Sequence, residues 1–199
     1  MLFRSTASLI YGVPESEVQR EQRNAMKAIN YGILYGMTSH GLSKELNVSF
    51  EEAQAFIDAY FERYPGVQRY YERQLIQAKR DGFVQTLLGR RRYIPELNSS
   101  DPMIRQFGER MALNAPIQGT AADLIKRAMI QLDDELERSK RIGRMLLQVH
   151  DELVFETPRR FLLELAALVR KMMEGAIALD VPLTVTLKAG PNWLDLKSV

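Results

Sequence analysis

The chain has 199 residues, 46% of them hydrophobic, and its 27 basic and 25 acidic residues leave a formal net charge of +2. Such a chain is long enough for one globular domain or two small ones, and its charge is too balanced to indicate nucleic-acid binding by itself. No run approaches the ~20 apolar residues of a membrane span, and the absence of Cys excludes disulfides and thiolate metal sites. We therefore expect a cytoplasmic protein with no membrane partner.

The first part of the sequence predicts helices with one unusual face. A helix over residues 4–12 ends near Gly12, and a second, from Glu15 to Ile33, ends before Gly36. Every fourth residue from position 23 to position 35 is basic or aromatic, which places four side chains on one face: Arg23, Lys27, Tyr31 and Tyr35. A solvated face is the ordinary interpretation. The order, cations first and rings later, also suits a nucleoside triphosphate, with the cations on the phosphates and a ring stacked on the base.

The middle of the sequence predicts further helices and two polar features. Helices are expected over residues 39–46, 50–63 and 67–79, followed by a strand over 83–87. The three arginines at 90–92 are either a solvated loop or a contact for a phosphate backbone. Residues 102–138 predict one long helix, or two joined near Pro116. Its polar stripe is either unpartnered or donates hydrogen bonds to a duplex minor groove, and it consists of Arg110, Asn114 and Gln118.

The last part of the sequence predicts a charged hairpin. Residues 145–155 read as two short buried strands, and their tip is His150-Asp151-Glu152, without the Gly, Pro or Asn of an ordinary turn. Carboxylates beside apolar strands are costly to desolvate unless a cation compensates them, so the tip either binds a divalent cation or is a plain surface turn. An amphipathic helix over 158–178, a strand over 181–187 and a terminal turn over 190–194 should follow.

Three motifs occur in a fixed order along the chain. They are Arg23-x-x-x-Lys27-x-x-x-Tyr31-Gly-x-x-Tyr35-Gly, then Asn114-Ala-Pro-Ile-Gln-Gly-Thr-Ala-Ala-Asp123, then Gln148-Val-His-Asp-Glu152. In this order and spacing they resemble family A DNA polymerases, the bacterial DNA polymerase I type, and the resemblance covers essentially the whole chain. The implied fold is α+β, with a mainly helical fingers subdomain over 1–82. Residues 83–199 would be the C-terminal palm portion, a small antiparallel sheet packed on helices.

The resemblance implies a catalytic centre. Asp151 would bind the catalytic metal, Mg²⁺, of which the complete family site holds two ions, and the other catalytic residues would be Glu152 and Lys27. In the family a second metal-binding Asp lies on an upstream palm strand, and we expect that strand, the thumb and the exonuclease-like region to be absent here. A site with one of its two bridging carboxylates missing should bind metal weakly.

The resemblance also implies substrate contacts. The triphosphate would be held by Arg23 and Lys27, the incoming nucleotide would stack on Tyr31, and Tyr35 would lie at the template side. The expected DNA contacts are Arg92, Arg110, Asn114, Gln118 and His150.

The implied reaction is template-directed DNA synthesis by two-metal phosphoryl transfer from deoxynucleoside triphosphates to a primer 3′-hydroxyl. The expected partners are primer-template DNA, these nucleotides and the upstream polymerase portion, supplied in trans. The expected location is the nucleoid of the cytoplasm. The alternative is a non-catalytic nucleotide-binding and DNA-binding remnant. A single-subunit RNA polymerase is a further rival, because its fingers helix shares the Lys and Tyr-Gly features.

Overall fold

A computed structural model, which describes residues 2–139 and 142–199, shows an α+β fold. Its described residues form seven α-helices, two short 3₁₀ helices and three two-stranded antiparallel sheets. In chain order they are α1 (Leu2–Tyr11), α2 (Arg20–Leu34), α3 (Ser39–Leu46), α4 (Phe50–Arg63), α5 (Pro65–Asp81), β1 (Phe83–Gln85), β2 (Arg91–Tyr93), the 3₁₀ helix Pro95–Asn98, α6 (Pro102–Ser139), β3 (Arg144–Val149), β4 (Glu152–Glu156), the 3₁₀ helix Arg159–Phe161, α7 (Leu162–Glu174), β5 (Lys188–Ala189) and β6 (Lys197–Ser198).

The chain divides into two compact units, one up to Ile117 and one from Gln118 onward. The boundary falls within α6, just after Pro116, and α6 continues through it as one helix. The sequence left open whether this segment is one helix or two. The predicted division into a fingers subdomain over residues 1–82 and a palm portion over residues 83–199 stays a prediction.

The first unit contains two apolar clusters. The first is formed by side chains of the four helices α1, α2, α3 and α4. Its members include the completely buried side chains of Met26, Ile29 and Leu42. The start of α4 is capped as the sequence predicts: the Ser49 Oγ accepts from the Glu52 N–H at 3.1 Å, and the Ser49 N–H donates to the Glu52 carboxylate at 2.9 Å. The second cluster joins α5, the β1–β2 hairpin and the first half of α6.

The second unit is built on the rest of α6, on α7 and on the β3–β4 hairpin. Apolar side chains of the two helices form its core, among them Leu132, Leu136, Leu165 and Val169. Met145, Leu153 and Phe155 of the hairpin pack against this core. An ion pair between Arg144 and Glu156, 2.6 Å long, closes the open end of the hairpin.

The hairpin corrects the prediction of two short buried strands. Leu146 and Leu147 are exposed, because a two-stranded sheet has only one face on the core and its other face meets solvent. The pairing register also shifts between Met145 and Leu147, so the alternation of inward and outward side chains is broken at Leu146.

The strand predicted over residues 181–187 is wrong. Val185 and Leu187 do pack against the core, which explains the alternating pattern. The Val185 N–H, however, donates to the Glu174 carboxylate at 2.9 Å instead of to a neighbouring strand. The strand of this segment, β5, consists of Lys188 and Ala189, which pair with β6.

Two predicted helix boundaries also shift. The helix expected from Glu15 begins at Arg20, because Glu15 to Glu17 form a turn after Pro14 and the Gln19 N–H is capped by the Gln22 side chain at 2.9 Å. The helix expected over 158–178 is a 3₁₀ turn followed by α7, which ends at Glu174. Among the residues that the structure describes, no helix is both long and apolar enough to cross a membrane.

Candidate functional site

One face of α2 carries the four residues that the sequence predicts to contact a nucleotide. The opposite face is part of the core, where Met26 and Ile29 are completely buried and Ile33 nearly so. The stripe itself is exposed to solvent, and it consists of Arg23, Lys27, Tyr31 and Tyr35. The fold therefore fixes this face outward by burying the other one.

The aromatic end of this stripe is a small ring cluster. Tyr31 and Tyr35 are stacked, with ring centroids 6.1 Å apart and an angle of 18° between the planes. The Phe3 ring of α1 is also near Tyr31, with ring centroids 5.9 Å apart. About 45% of Tyr31 is still accessible, so a flat ligand can reach this cluster next to the two cations.

The end of α2 lies against the middle of α6. Gly36 has a φ of +73°, and a Cβ built on it would lie 3.2 Å from Cγ of Arg110 and 3.6 Å from Cδ1 of Leu113. A glycine allows both the left-handed backbone and the close approach. The first unit thus brings the end of the α2 stripe close to Arg110, a predicted DNA contact.

Two neighbouring tyrosines of α5 hold this junction. The Tyr71 hydroxyl donates to the Ile33 carbonyl of α2 at 2.6 Å, and the Tyr70 hydroxyl donates to the Leu113 carbonyl of α6 at 3.4 Å. Burial raises the pKa of both phenols above its ordinary value. Both hydroxyls therefore remain protonated donors at neutral pH.

Asn114 is half-buried, and its Oδ1 is a buried acceptor for which the described residues provide no donor. An unsatisfied buried acceptor is costly, and because this atom has almost no accessible surface, a donor could reach it only after the side chain moved. One turn earlier, the Arg110 guanidinium lies 5.8 Å from the centre of the exposed Phe107 ring. Gln118 is exposed and belongs to the second unit.

Arg92 lies on the side of the β1–β2 hairpin that faces α6. Its Nη2 is 3.1 Å from the Met111 sulfur, while the side chain as a whole remains exposed. Arg92 is therefore tied to the same helix as Arg110.

The tip of the β3–β4 hairpin is a two-residue turn between Val149 and Glu152, which pair with each other. His150 has a φ of +54°, a left-handed conformation that a residue other than glycine adopts only at a cost. The Gln148 side chain donates to the His150 carbonyl at 2.6 Å and supports this backbone. Asp151 and Glu152 are both exposed.

The tip of the hairpin offers carboxylate oxygens of the kind that a divalent cation requires. Two carboxylates in adjacent positions are hard oxygen donors of the kind that Mg²⁺ accepts, and Mg²⁺ commonly takes its remaining ligands from water and substrate phosphates. Across residues 2–139 and 142–199, no group of three or more His, Cys, Asp or Glu side chains could enclose a metal ion. The two carboxylates of the tip could therefore supply only part of the coordination of such an ion.

The chain is similar to known DNA polymerases. The model of the family described as DNA polymerase family A matches residues 2–195. The DNA polymerase I of Pseudomonas aeruginosa is 50% identical over 190 residues, which are 96% of this chain and 21% of that protein. The thermostable DNA polymerase I of Thermus aquaticus is 49% identical over 192 residues, 96% of this chain and 23% of that protein.

A solved structure shows the same fold. The polymerase domain of Pol1 from M. smegmatis, solved in complex with DNA primer-template and dNTP, has a TM-score of 0.87 and 48% sequence identity. The alignment covers 92% of this chain and 32% of that one. The chain belongs to DNA polymerase family A, as its motifs indicated, and it spans about a fifth of the length of the curated relatives named above.

Sequence reasoning missed the residues that support the site. Tyr70, Tyr71 and Phe107 follow no motif, and aromatic residues on helices usually belong to the edge of a core. Their role depends on which carbonyl or cation the fold places beside them. A pattern of spacing within one helix contains no such information.

Proposed function

We propose that this chain is the part of a DNA polymerase that binds the incoming deoxynucleoside triphosphate and the primer-template, and that it contributes a metal-binding carboxylate to template-directed DNA synthesis. The observation that supports this most strongly is the exposed face of α2, where two cations precede two stacked rings on a helix whose other face is buried. Membership of DNA polymerase family A supports the same assignment.

Each end of the α2 face has its own task. Arg23 and Lys27 neutralise the triphosphate, and Lys27 offsets charge that builds up as the phosphoryl group is transferred. Tyr31 offers its ring to the sugar and base of the nucleotide, and Tyr35 lies further along the same face. Because stacking tolerates any base, this face binds all four nucleotides and leaves the selection among them to the template.

The DNA contacts are proposed from groups that can donate hydrogen bonds or neutralise phosphate. Arg110 and Asn114 on α6, Gln118 further along the same helix, His150 at the hairpin tip and Arg92 of β2 belong to this group. Minor-groove acceptors occupy similar positions in every base pair, so such donors can recognise duplex geometry without reading sequence.

Asp151 would hold a divalent cation, with Glu152 beside it, and Mg²⁺ is the ion we propose. When bound, this ion supplies Lewis-acid stabilisation of the charge that develops on phosphate oxygens. The chain's own contribution is to present Asp151 at a rigid turn, fixed by the Val149–Glu152 pair and the Gln148 side chain. A second metal-binding carboxylate would come from a polymerase segment outside these residues, either continuous with the chain or supplied in trans. The reaction would take place on chromosomal DNA, in the nucleoid.

Nucleotide binding by the isolated chain tests the α2 assignment directly. We expect a fluorescent deoxynucleoside triphosphate to bind more tightly than the corresponding monophosphate, and Lys27→Gln to remove most of that preference. Lys44→Gln is the matched control, since Lys44 is an exposed lysine of α3 outside the stripe. Equal binding by the two variants would contradict the proposal. A preference for ribonucleotides over deoxynucleotides would favour an RNA polymerase instead.

Primer extension distinguishes a working part of a polymerase from a non-catalytic remnant that only binds nucleotide and DNA. The chain would be mixed with a separately produced upstream polymerase segment, primer-template, Mg²⁺ and all four deoxynucleotides. Extension that needs both polypeptides supports a divided polymerase. Retained nucleotide and DNA binding without any extension would identify a non-catalytic remnant.

A further inference from the structure

The β1–β2 hairpin has two faces of different character. Its register pairs Phe83 with Tyr93, Val84 with Arg92 and Gln85 with Arg91. Val84 is 3% exposed and belongs to the core, so the Val84 face is the inner one. Side chains alternate along a strand, and Phe83, Arg91 and Tyr93 therefore share the outer face.

The outer face is a ladder of two rings and one cation. The Arg91 guanidinium lies 4.6 Å from the centre of the Phe83 ring, and the Phe83 and Tyr93 ring centroids are 5.6 Å apart. Tyr93 is 67% exposed, an unusual fraction for an aromatic ring held in a paired strand. The pairing and the cation–π contact hold these side chains in a fixed arrangement before any ligand arrives.

The charge of this hairpin selects the kind of ligand. Arg90, Arg91 and Arg92 are consecutive, and both faces of β2 therefore carry a cation. A polyanion with flat apolar groups complements cations interleaved with rings, and single-stranded nucleic acid is such a ligand. In a duplex the bases are already stacked on one another, so an exposed ring offers them little. Unpaired bases can stack on it.

We propose that the outer face of the β1–β2 hairpin, formed by Phe83, Arg91 and Tyr93, is a stacking site for unpaired bases of single-stranded DNA. Tyr93 provides the exposed ring, Phe83 supports it from the neighbouring strand, and Arg91 pairs with the adjoining phosphate. This site requires neither a metal ion nor a nucleoside triphosphate. It goes beyond the proposed nucleotide transfer and can be tested separately from it.

The test is fluorescence anisotropy in EDTA, with labelled oligothymidylate and an abasic deoxyribose-phosphate strand of equal length. Stacking on one ring is worth ~1–3 kcal/mol, so we expect oligothymidylate to bind about 5-fold to 150-fold more tightly than the abasic strand. Tyr93→Ser should remove most of this difference, while Tyr93→Phe, which keeps the ring, should retain it. Circular dichroism verifies that each variant is folded.

Salt dependence tests the cation independently of the ring. Arg91→Gln should reduce the slope of log K against log salt by about 0.7, the value for one phosphate contact on a single strand. Arg160→Gln is the matched control, since the Arg160 guanidinium lies 4.8 Å from the Phe161 ring in the other unit. That variant should bind like the unsubstituted chain. The proposal is overturned if the chain binds neither strand, binds both equally, or loses as much affinity through Arg160→Gln as through Arg91→Gln.

Discussion

Gly36 and Gly82 form a natural pair for measuring how the end of α2 positions Arg110. Both glycines follow a helix and both have a φ of +73°. An alanine at either position suffers the same left-handed strain, about 1–2 kcal/mol. The surroundings differ: a Cβ at Gly36 would lie 3.2 Å from Cγ of Arg110, whereas nothing lies within 4 Å of a Cβ at Gly82.

Comparing the two alanine variants therefore separates the effect of backbone strain, which both share, from the effect of the contact with Arg110, which only Gly36→Ala has. Gly82→Ala should lower the free energy of unfolding by about 1–2 kcal/mol and leave DNA binding unchanged. Gly36→Ala should cost at least as much and should also weaken DNA binding, because Arg110 must move by a few tenths of an ångström to avoid the new methyl group. Displacing a charged group that contacts phosphate weakens binding to every sequence about equally.

Urea unfolding and anisotropy with a labelled primer-template measure the two effects on the same protein preparations. The m-values should match among the variants, so that differences in midpoint report stability. Equal DNA affinities of Gly36→Ala and Gly82→Ala would refute the reasoning, since they would show that the position of Arg110 does not matter for DNA. A smaller loss of stability at Gly36 than at Gly82 would refute the contact itself.

Three further substitutions test other parts of the structure. His150→Gly should leave the free energy of unfolding unchanged or raise it by up to about 1 kcal/mol, because glycine adopts the left-handed turn without strain; urea unfolding measures this, and a clear loss would mean that the imidazole supports the hairpin. Tyr71→Phe should lower stability by about 0.5–1.5 kcal/mol, since it removes the donor to the Ile33 carbonyl; an unchanged unfolding midpoint would contradict the role of that hydrogen bond. Hydrogen bonds from Ser49 hold the pKa of Glu52 below its ordinary value of 4.5, so the capping box stabilises the fold above that pH and loses its contribution as the pH falls through the lowered pKa. Ser49→Ala should abolish that part of the acid dependence in thermal unfolding, and an unaltered pH profile would exclude the linkage.

The helices were predictable because their evidence is local. The capping box at Ser49, the stripe of α2 and the glycine after α5 each lie within a few residues of the feature that they determine. Periodicity also identified which face of α2 is buried. Such features need no knowledge of the rest of the chain.

The predictions that the structure corrected depend on interactions between residues far apart in the sequence. Val185 lies in an alternating pattern, but its N–H bonds to Glu174 on a helix, and no local rule reveals that choice. The exposure of Leu146 and Leu147 depends on how many strands the sheet has, which the two strands themselves do not specify. The ladder of Phe83, Arg91 and Tyr93 likewise arises only when two short strands pair in one register.

The most direct measurement is primer extension by a chimera in which residues 2–195 replace the matching segment of Thermus aquaticus DNA polymerase I. We predict that this chimera extends a primer with Mg²⁺ and deoxynucleotides, and that Asp151→Ala lowers the rate about a hundredfold or more while DNA binding persists. Asp180→Ala, an exposed carboxylate of the same unit, is the control and should have no effect. Extension that survives Asp151→Ala at the rate of the control would contradict the assignment of this hairpin as a metal-binding part of the polymerase.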